Sequence, residues 1–171
     1  MRGKHDTVKI ALAGANRSGA FFKTLTAHPE AEIVALCDLN EDALAGAAKA
    51  TGVTRLYTLY ERMLDEVKPD AVIVATPMQF HVAQSIAALQ RDIHVLSEVT
   101  AGVSLDEARW LVRECRKSRA VYMMGEDFLY TRQNALVGAM VDAGLFGDVY
   151  YAEGEYIHEL SILHHTPQGK P

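Results

Sequence analysis

Short apolar runs alternate with stretches of helical period along most of this chain, and that alternation limits the folds open to it. "TVKIALA" (7–13), "AEIVALCD" (31–38), "RLYT" (55–58), "DAVIVATP" (70–77), "IHVLSE" (93–98) and "AVYMMG" (120–125) read as strands. Between them, "RSGAFFKTLTAH" (17–28), "NEDALAGAAKATG" (40–52), "YERMLDEVKP" (60–69), "QFHVAQSIAALQR" (79–91) and "SLDEARWLVRECRKS" (104–118) read as helices. A helix after each strand returns the chain to the same end of the sheet, so the strands must run parallel. The strands are apolar throughout and rich in Val and Ile, as strands covered on both faces are. The expected fold class is therefore α/β, a doubly wound parallel sheet of Rossmann type.

The helix ends carry their own signals. Asn40 caps the second helix, with Glu41 and Asp42 in its first turn and Gly52 as its stop. Ser104 and Glu107 form a capping box at the fifth. Val82, Ile86 and Leu89 mark the inner side of the fourth helix. Leu105, Ala108, Leu111, Val112 and Cys115 mark that of the fifth.

The order breaks after Gly125. "QNALVGAMVDAG" (133–144) predicts a helix with Leu136, Ala139, Met140 and Ala143 facing inward. "DVYYAEGEYI" (148–157) predicts a long strand opening a second sheet. Residues 1–125 are thus expected to form the Rossmann domain, and 126–171 a linker helix and the start of an incomplete α+β domain.

The loop after the first strand is "GANRSG" (14–19), a G-x-G-x-x-G outline with Asn16 in place of the middle glycine. Gly14 stands where a tight turn needs no Cβ, and Gly19 where it would let the next helix approach the sheet. Asn tolerates positive φ better than most residues, so Asn16 is a mild departure. The helix N-terminus offers free N–H groups and partial positive charge to a diphosphate. Arg17 adds a cation for phosphate or sits in water. A loop with two glycines is, by itself, a structural turn as readily as a phosphate cradle.

The context favours the cradle, because the loop joins a strand to a helix. Asp38 ends the second strand, where a carboxylate accepts from ribose hydroxyls and repels the extra phosphate of NADP. NAD is therefore the expected cofactor, and NADP the less favoured one. Read without the loop, Asp38 is a helix cap. Thr76 and Pro77 end the fourth strand at the edge where open sheets bind ligands. His81 follows, either lining that cleft or satisfied as a capping or surface residue. Glu98 ends the fifth strand, as a ribose ligand or a solvent-facing acid. The candidate cofactor residues of the Rossmann part are Gly14, Ala15, Asn16, Arg17, Gly19, Asp38, Thr76, Pro77, His81 and Glu98.

A net charge of −5 argues against a nucleic-acid partner. No apolar run approaches a membrane span, and the start "MRGKHDT" lacks the apolar core of a signal peptide. Cys37 and Cys115 have no metal-ligand spacing and read as buried free thiols, so no metal and a cytoplasmic location are expected.

Taken in order, "KIALAGANRSG", "CDLN", "DAVIVATPMQFH", "HVLSEVTAGVSLDEA" and "GLFGDVYYAEGEY" resemble the glucose–fructose oxidoreductase and inositol dehydrogenase family (Gfo/Idh/MocA) along essentially the whole chain. The resemblance implies a Rossmann domain followed by a domain with an open, mostly antiparallel sheet. It implies NAD- or NADP-dependent oxidation or reduction of a hydroxyl on a sugar or cyclitol. It also implies pairing of subunits through the second sheet, here a homo-oligomer through 148–157. Asp127 falls near the family's Asn beside the nicotinamide, and Tyr130 and Arg132 would face the same cleft.

Two departures matter. The family's strand-five ending is Glu-Lys-Pro, whereas Glu98 is followed here by Val99 and Thr100. Valine supplies neither charge nor proton, though glycosidase-like relatives carry it. Family members are also much longer, with their catalytic Asp and His on a later helix. His158, His164 and His165 do not match that helix, and no catalytic residue is assigned. The leading expectation is an NAD-binding domain of a sugar or cyclitol oxidoreductase, without turnover as this short chain. One alternative is a non-catalytic NAD-binding module pairing through 148–157. Another is part of an NAD-dependent redox-assisted glycosidase.

Overall fold

A computed structural model describes residues 7–157 and residue 159. The described residues fall in two compact units, one up to Glu126 and one from Asp127. The first holds a six-stranded sheet in the order β3-β2-β1-β4-β5-β6, with every pair parallel. The strands are β1 (Val8–Ala13), β2 (Ala31–Cys37), β3 (Leu56–Tyr57), β4 (Ala71–Val74), β5 (His94–Ser97) and β6 (Tyr122–Met124). The crossover helices are α1 (Gly19–Ala27), α2 (Glu41–Thr51), α3 (Tyr60–Val67), α4 (His81–Leu89) and α5 (Leu105–Lys117). The strand order reverses at the β1–β4 pair, where a crevice opens at the carboxyl edge.

Alternation along the strands divides the core into two layers. Ala11, Ala13, Val72 and Val74 face one way, packing with Met63 and Leu64 of α3, Val82, Ile86 and Leu89 of α4, and Leu111 of α5. Leu12, Leu36 and Ile73 face the other way, toward Leu44 and Ala47 of α2 and the apolar side of α1. The caps form as the sequence requires. The Asn40 side chain accepts from the Asp42 and Ala43 N–H groups, Gly52 closes α2 at φ 77°, and Ser104 Oγ accepts from Glu107 N–H.

Several expectations fail locally. On α5 only Leu111 is buried and Cys115 half-buried, while Leu105, Ala108 and Val112 are exposed. Cys115 is therefore not a buried thiol, although Cys37 is. The turn "MQF" (78–80) is a 3-10 helix preceding α4 rather than its first turn.

The second unit contains a 3-10 turn (Phe128–Tyr130) and α6 (Arg132–Asp142). Leu136, Ala139 and Ala143 do not face inward but are exposed, and only Met140 is half-buried. Residues 148–157 form no strand. An extended segment becomes a strand when a neighbour completes its backbone ladder, and no such ladder is formed with this one among the described residues. Of the expected second sheet, therefore, nothing stands in the described residues, and the pairing surface inferred from that strand has no structural support. His158, His164 and His165 lie outside them.

Candidate functional site

The turn that leaves β1 is shaped by a residue without a side chain. Gly14 adopts φ +90°, and a Cβ there would overlap the Ala75 carbonyl oxygen and stand 2.8 Å from Thr76 N. The β1–α1 loop therefore lies directly on the chain leaving β4. Gly14 N–H donates to Cys37 O at 2.9 Å, and Ser18 N–H closes back on Gly14 O at 2.9 Å. Gly14, Ala15 and Ser18 are the buried residues of the loop, whereas Gly19 is exposed. A Cβ on Gly19 would meet only Phe22, at 3.9 Å, so its lack of a side chain is not what lets α1 approach.

The loop leaves two donors free. Gly14, Ala15, Ser18 and Gly19 all spend their N–H groups within the protein, whereas those of Asn16 and Arg17 have no acceptor among the described residues. Both residues line a cleft of ≈ 710 Å³ at the carboxyl edge of the sheet, together with Gly14, Asp38, Thr76 and Pro77. Unspent N–H groups at the start of a helix are an anion site.

Asp38 converges on the same cleft. Its Oδ2 accepts from Ala15 N–H at 2.6 Å and its Oδ1 from Asn40 N–H at 2.8 Å. The carboxylate is thereby fixed beside the loop with acceptor capacity left over. The rim is apolar and was not read from the sequence: Leu39, Leu59 and Phe80 are exposed there beside Tyr60. An exposed apolar side chain on a loop follows no period, so no pattern announces it. Burial pushes the Tyr60 phenol well up, and the nearby Cys37 adds to this; its hydroxyl donates to Gln84 O at 3.1 Å. Burial first, then the Asp38 charge, push the Cys37 thiol up to about 11, which keeps it protonated and unreactive.

Of the proposed ligands in the first unit, Ala15, Gly19, His81 and Glu98 do not line this cleft. Glu98 is buried, and its Oε1 accepts from Arg17 Nε at 2.8 Å while Oε2 takes Val99 N–H at 3.3 Å. It is neither solvent-facing nor on the cleft wall, and it holds the Arg17 side chain. His81 is buried behind the wall, with its ring against Thr76 O. Asp127 opens the second unit, at the start of its 3-10 turn. Val99 is exposed at the end of β5. Among the described residues no group of His, Cys, Asp or Glu converges to hold a metal, and no helix is long and apolar enough to cross a membrane.

A parallel sheet with an anion site at its strand-order reversal and a carboxylate at the tip of β2 defines a dinucleotide-binding domain of Rossmann type. Residues 8–126 match the oxidoreductase family with an NAD-binding Rossmann fold, Gfo/Idh/MocA, and the chain belongs to that family.

Its relatives include a glycosyl hydrolase family 109 protein of Akkermansia muciniphila, 36% identical over 92% of this chain and 35% of its own length. Another, of Saccharopolyspora erythraea, is 31% identical over 93% of this chain and 37% of its own. Among solved structures, the WlbA dehydrogenase of Bordetella pertussis, in complex with NADH and UDP-GlcNAcA, superposes with a TM-score of 0.78 at 27% identity. That match covers 84% of this chain and 44% of WlbA. The scyllo-inositol dehydrogenase of Lactobacillus casei shares the fold, with a TM-score of 0.78 at 24% identity over 84% of this chain and 43% of its own. The chain thus spans less than half the length of each of these proteins.

Proposed function

We propose that the first unit binds NAD and serves as the cofactor half of an oxidoreductase acting at a hydroxyl carbon of a sugar or cyclitol. The carrying observation is that Asn16 and Arg17, whose N–H groups have no acceptor among the described residues, line the cleft beside Asp38. The diphosphate sits on those two donors. The Asp38 carboxylate accepts from the adenosine ribose hydroxyls and, being anionic, disfavours a phosphate there, so NAD is bound in preference to NADP. Leu39, Leu59 and Phe80 supply the apolar rim for the adenine. NAD, when bound, supplies the hydride acceptor. Thr76 and Pro77 border its path along the cleft. The free thiols support a cytoplasmic location.

The sugar-like substrate is supported by the partners named for solved relatives, UDP-GlcNAcA and scyllo-inositol. A second reading has its own support. The relatives from Akkermansia and Saccharopolyspora are named glycosyl hydrolases, and Val99 stands here without charge or proton at the end of β5. In that reading the whole protein cleaves a glycoside by oxidising and re-reducing its sugar on one retained NAD.

Titration calorimetry with NADH and NADPH tests the binding. Saturable binding of NADH, at least about tenfold tighter than NADPH, is expected. No binding at about 1 mM NADH would remove the proposal.

A further inference from the structure

Arg17 belongs to both sides of the sheet's carboxyl edge. Its main chain lies in the loop after β1, and its side chain ends at Glu98, the residue after β5. β4 stands between those two strands, so the side chain passes the carboxyl end of β4. Glu98 N–H donates to Val74 O at 2.8 Å, which fixes the far anchor to the end of β4 itself.

The anchor uses only one edge of the guanidinium. Nε donates to Glu98 Oε1 at 2.8 Å, and Nη2 lies 2.8 Å from the same oxygen. Nη1 has no partner among the described residues. The carboxylate is buried and off the cleft wall, whereas the arginine side chain is mostly exposed and lines the cleft. Of the described residues that line it, Arg17 is the one cation and Asp38 the one carboxylate. Asp38 lies on the β2 side of the loop, and the Arg17 side chain leaves on the other, toward β4 and β5.

We infer that the Arg17 side chain is a further binding residue for the cofactor, taking the phosphate farther from the adenosine, and that Glu98 is its positioning residue. This rests on the dinucleotide reading above. With the adenosine ribose at Asp38, the rest of the molecule runs along the edge past the loop and toward β4. The main-chain donors hold the diphosphate at its adenosine side, and the guanidinium meets the phosphate beyond. A guanidinium pinned at one edge presents its remaining N–H groups in a fixed plane, which suits phosphate oxygens. Because Glu98 already orders the side chain, less freedom is lost when the anion arrives.

Calorimetric titration of the full chain with NADH, ADP and AMP separates the two phosphates, since AMP carries only the one next to the adenosine. Arg17→Ala is expected to bind NADH and ADP about tenfold more weakly, with AMP within about twofold of wild type. Unchanged affinity for NADH and ADP, or an equal loss for all three ligands, would overturn the role of Arg17. Glu98→Gln keeps the arginine but gives up the charge that pins it, so NADH should bind about threefold more weakly and AMP as before. NADH bound as tightly as by wild type, or more tightly, would overturn the positioning role. If Arg17→Ala does not fold, the double variant Arg17→Ala, Glu98→Gln leaves no buried carboxylate alone and is read the same way. If the wild type binds none of the three ligands, the dinucleotide reading falls and this inference with it. If the wild type binds NADH and Arg17→Ala binds it equally well, only this inference falls.

Discussion

The carboxyl edge of the sheet is built differently on its two sides. Where β1 and β2 end, the geometry is almost wholly main-chain: a positive-φ glycine, unspent N–H groups, and one carboxylate fixed by two amides. Where β4 and β5 end, side chains do the joining: Arg17 reaches Glu98, and the His81 ring spans Thr76 and Thr100. On the proposed reading, the first side takes the diphosphate and the second holds that loop in place. An exposed valine, not a charged group, follows Glu98.

The largest test strikes the main-chain side. Gly14→Ala must place a Cβ at φ +90° against the Ala75 carbonyl. A strained backbone and an overlap each cost about 1–3 kcal/mol, so a loss of roughly 2–5 kcal/mol is expected in urea unfolding, with NADH binding abolished. Stability within about 0.5 kcal/mol of wild type would mean that the close approach is not required.

Next is the side-chain side. Arg17→Ala leaves the buried Glu98 carboxylate with Val99 N–H as its remaining donor. Breaking a fully buried pair costs more, but the Arg17 side chain is 61% exposed, so about 1–2 kcal/mol is expected. Glu98→Gln removes the charge that needs a partner. In a double-mutant cycle the pair should therefore couple by about 1 kcal/mol. Additivity would show that the two sides of the edge are not joined here.

Asp38 returns the test to the first side at lower cost. Asp38→Asn keeps the shape but gives up the charge, and one carboxylate oxygen becomes an amide that cannot accept. One of its contacts to Ala15 and Asn40 N–H is lost, for about 1 kcal/mol of stability. The preference for NADH over NADPH is expected to fall about tenfold in paired titrations. An unchanged ratio would remove Asp38 from cofactor choice.

The same contrast explains what the sequence disclosed. Gly14 and Asp38 meet backbone requirements, and a backbone requirement recurs at fixed spacing within one strand–turn–helix unit, so both were legible. The partner of Glu98 was not, because Arg17 lies 81 residues away and is brought near only by the order β1-β4-β5. Of the two readings open for His81 the sequence could not choose, and the ring is buried against Thr76 O rather than lining the cleft. Period also misleads where burial depends on what lies beyond the element. The apolar stripe of α5 is real, yet only Leu111 of it is buried. Residues 148–157 are rich in tyrosine, as strands are, but a strand is a property of two segments, and a sequence pattern describes one.

The smallest effect divides the glycines of a single motif. Gly19 opens α1, and a Cβ there meets nothing nearer than Phe22 at 3.9 Å. Helix propensity favours alanine over glycine by up to about 1 kcal/mol in an interior, and by less at a first residue. Gly19→Ala is therefore expected to leave thermal stability unchanged or raised by a few tenths of a kcal/mol, roughly, with NADH affinity equal to wild type. Its N–H already serves Asn16 O at 3.3 Å and is not one of the unspent donors. A clear loss of affinity in this variant would mean that the diphosphate extends over the helix start, past Asn16 and Arg17. The boundary drawn here between the loop that binds and the helix that only follows would then have to move by a turn.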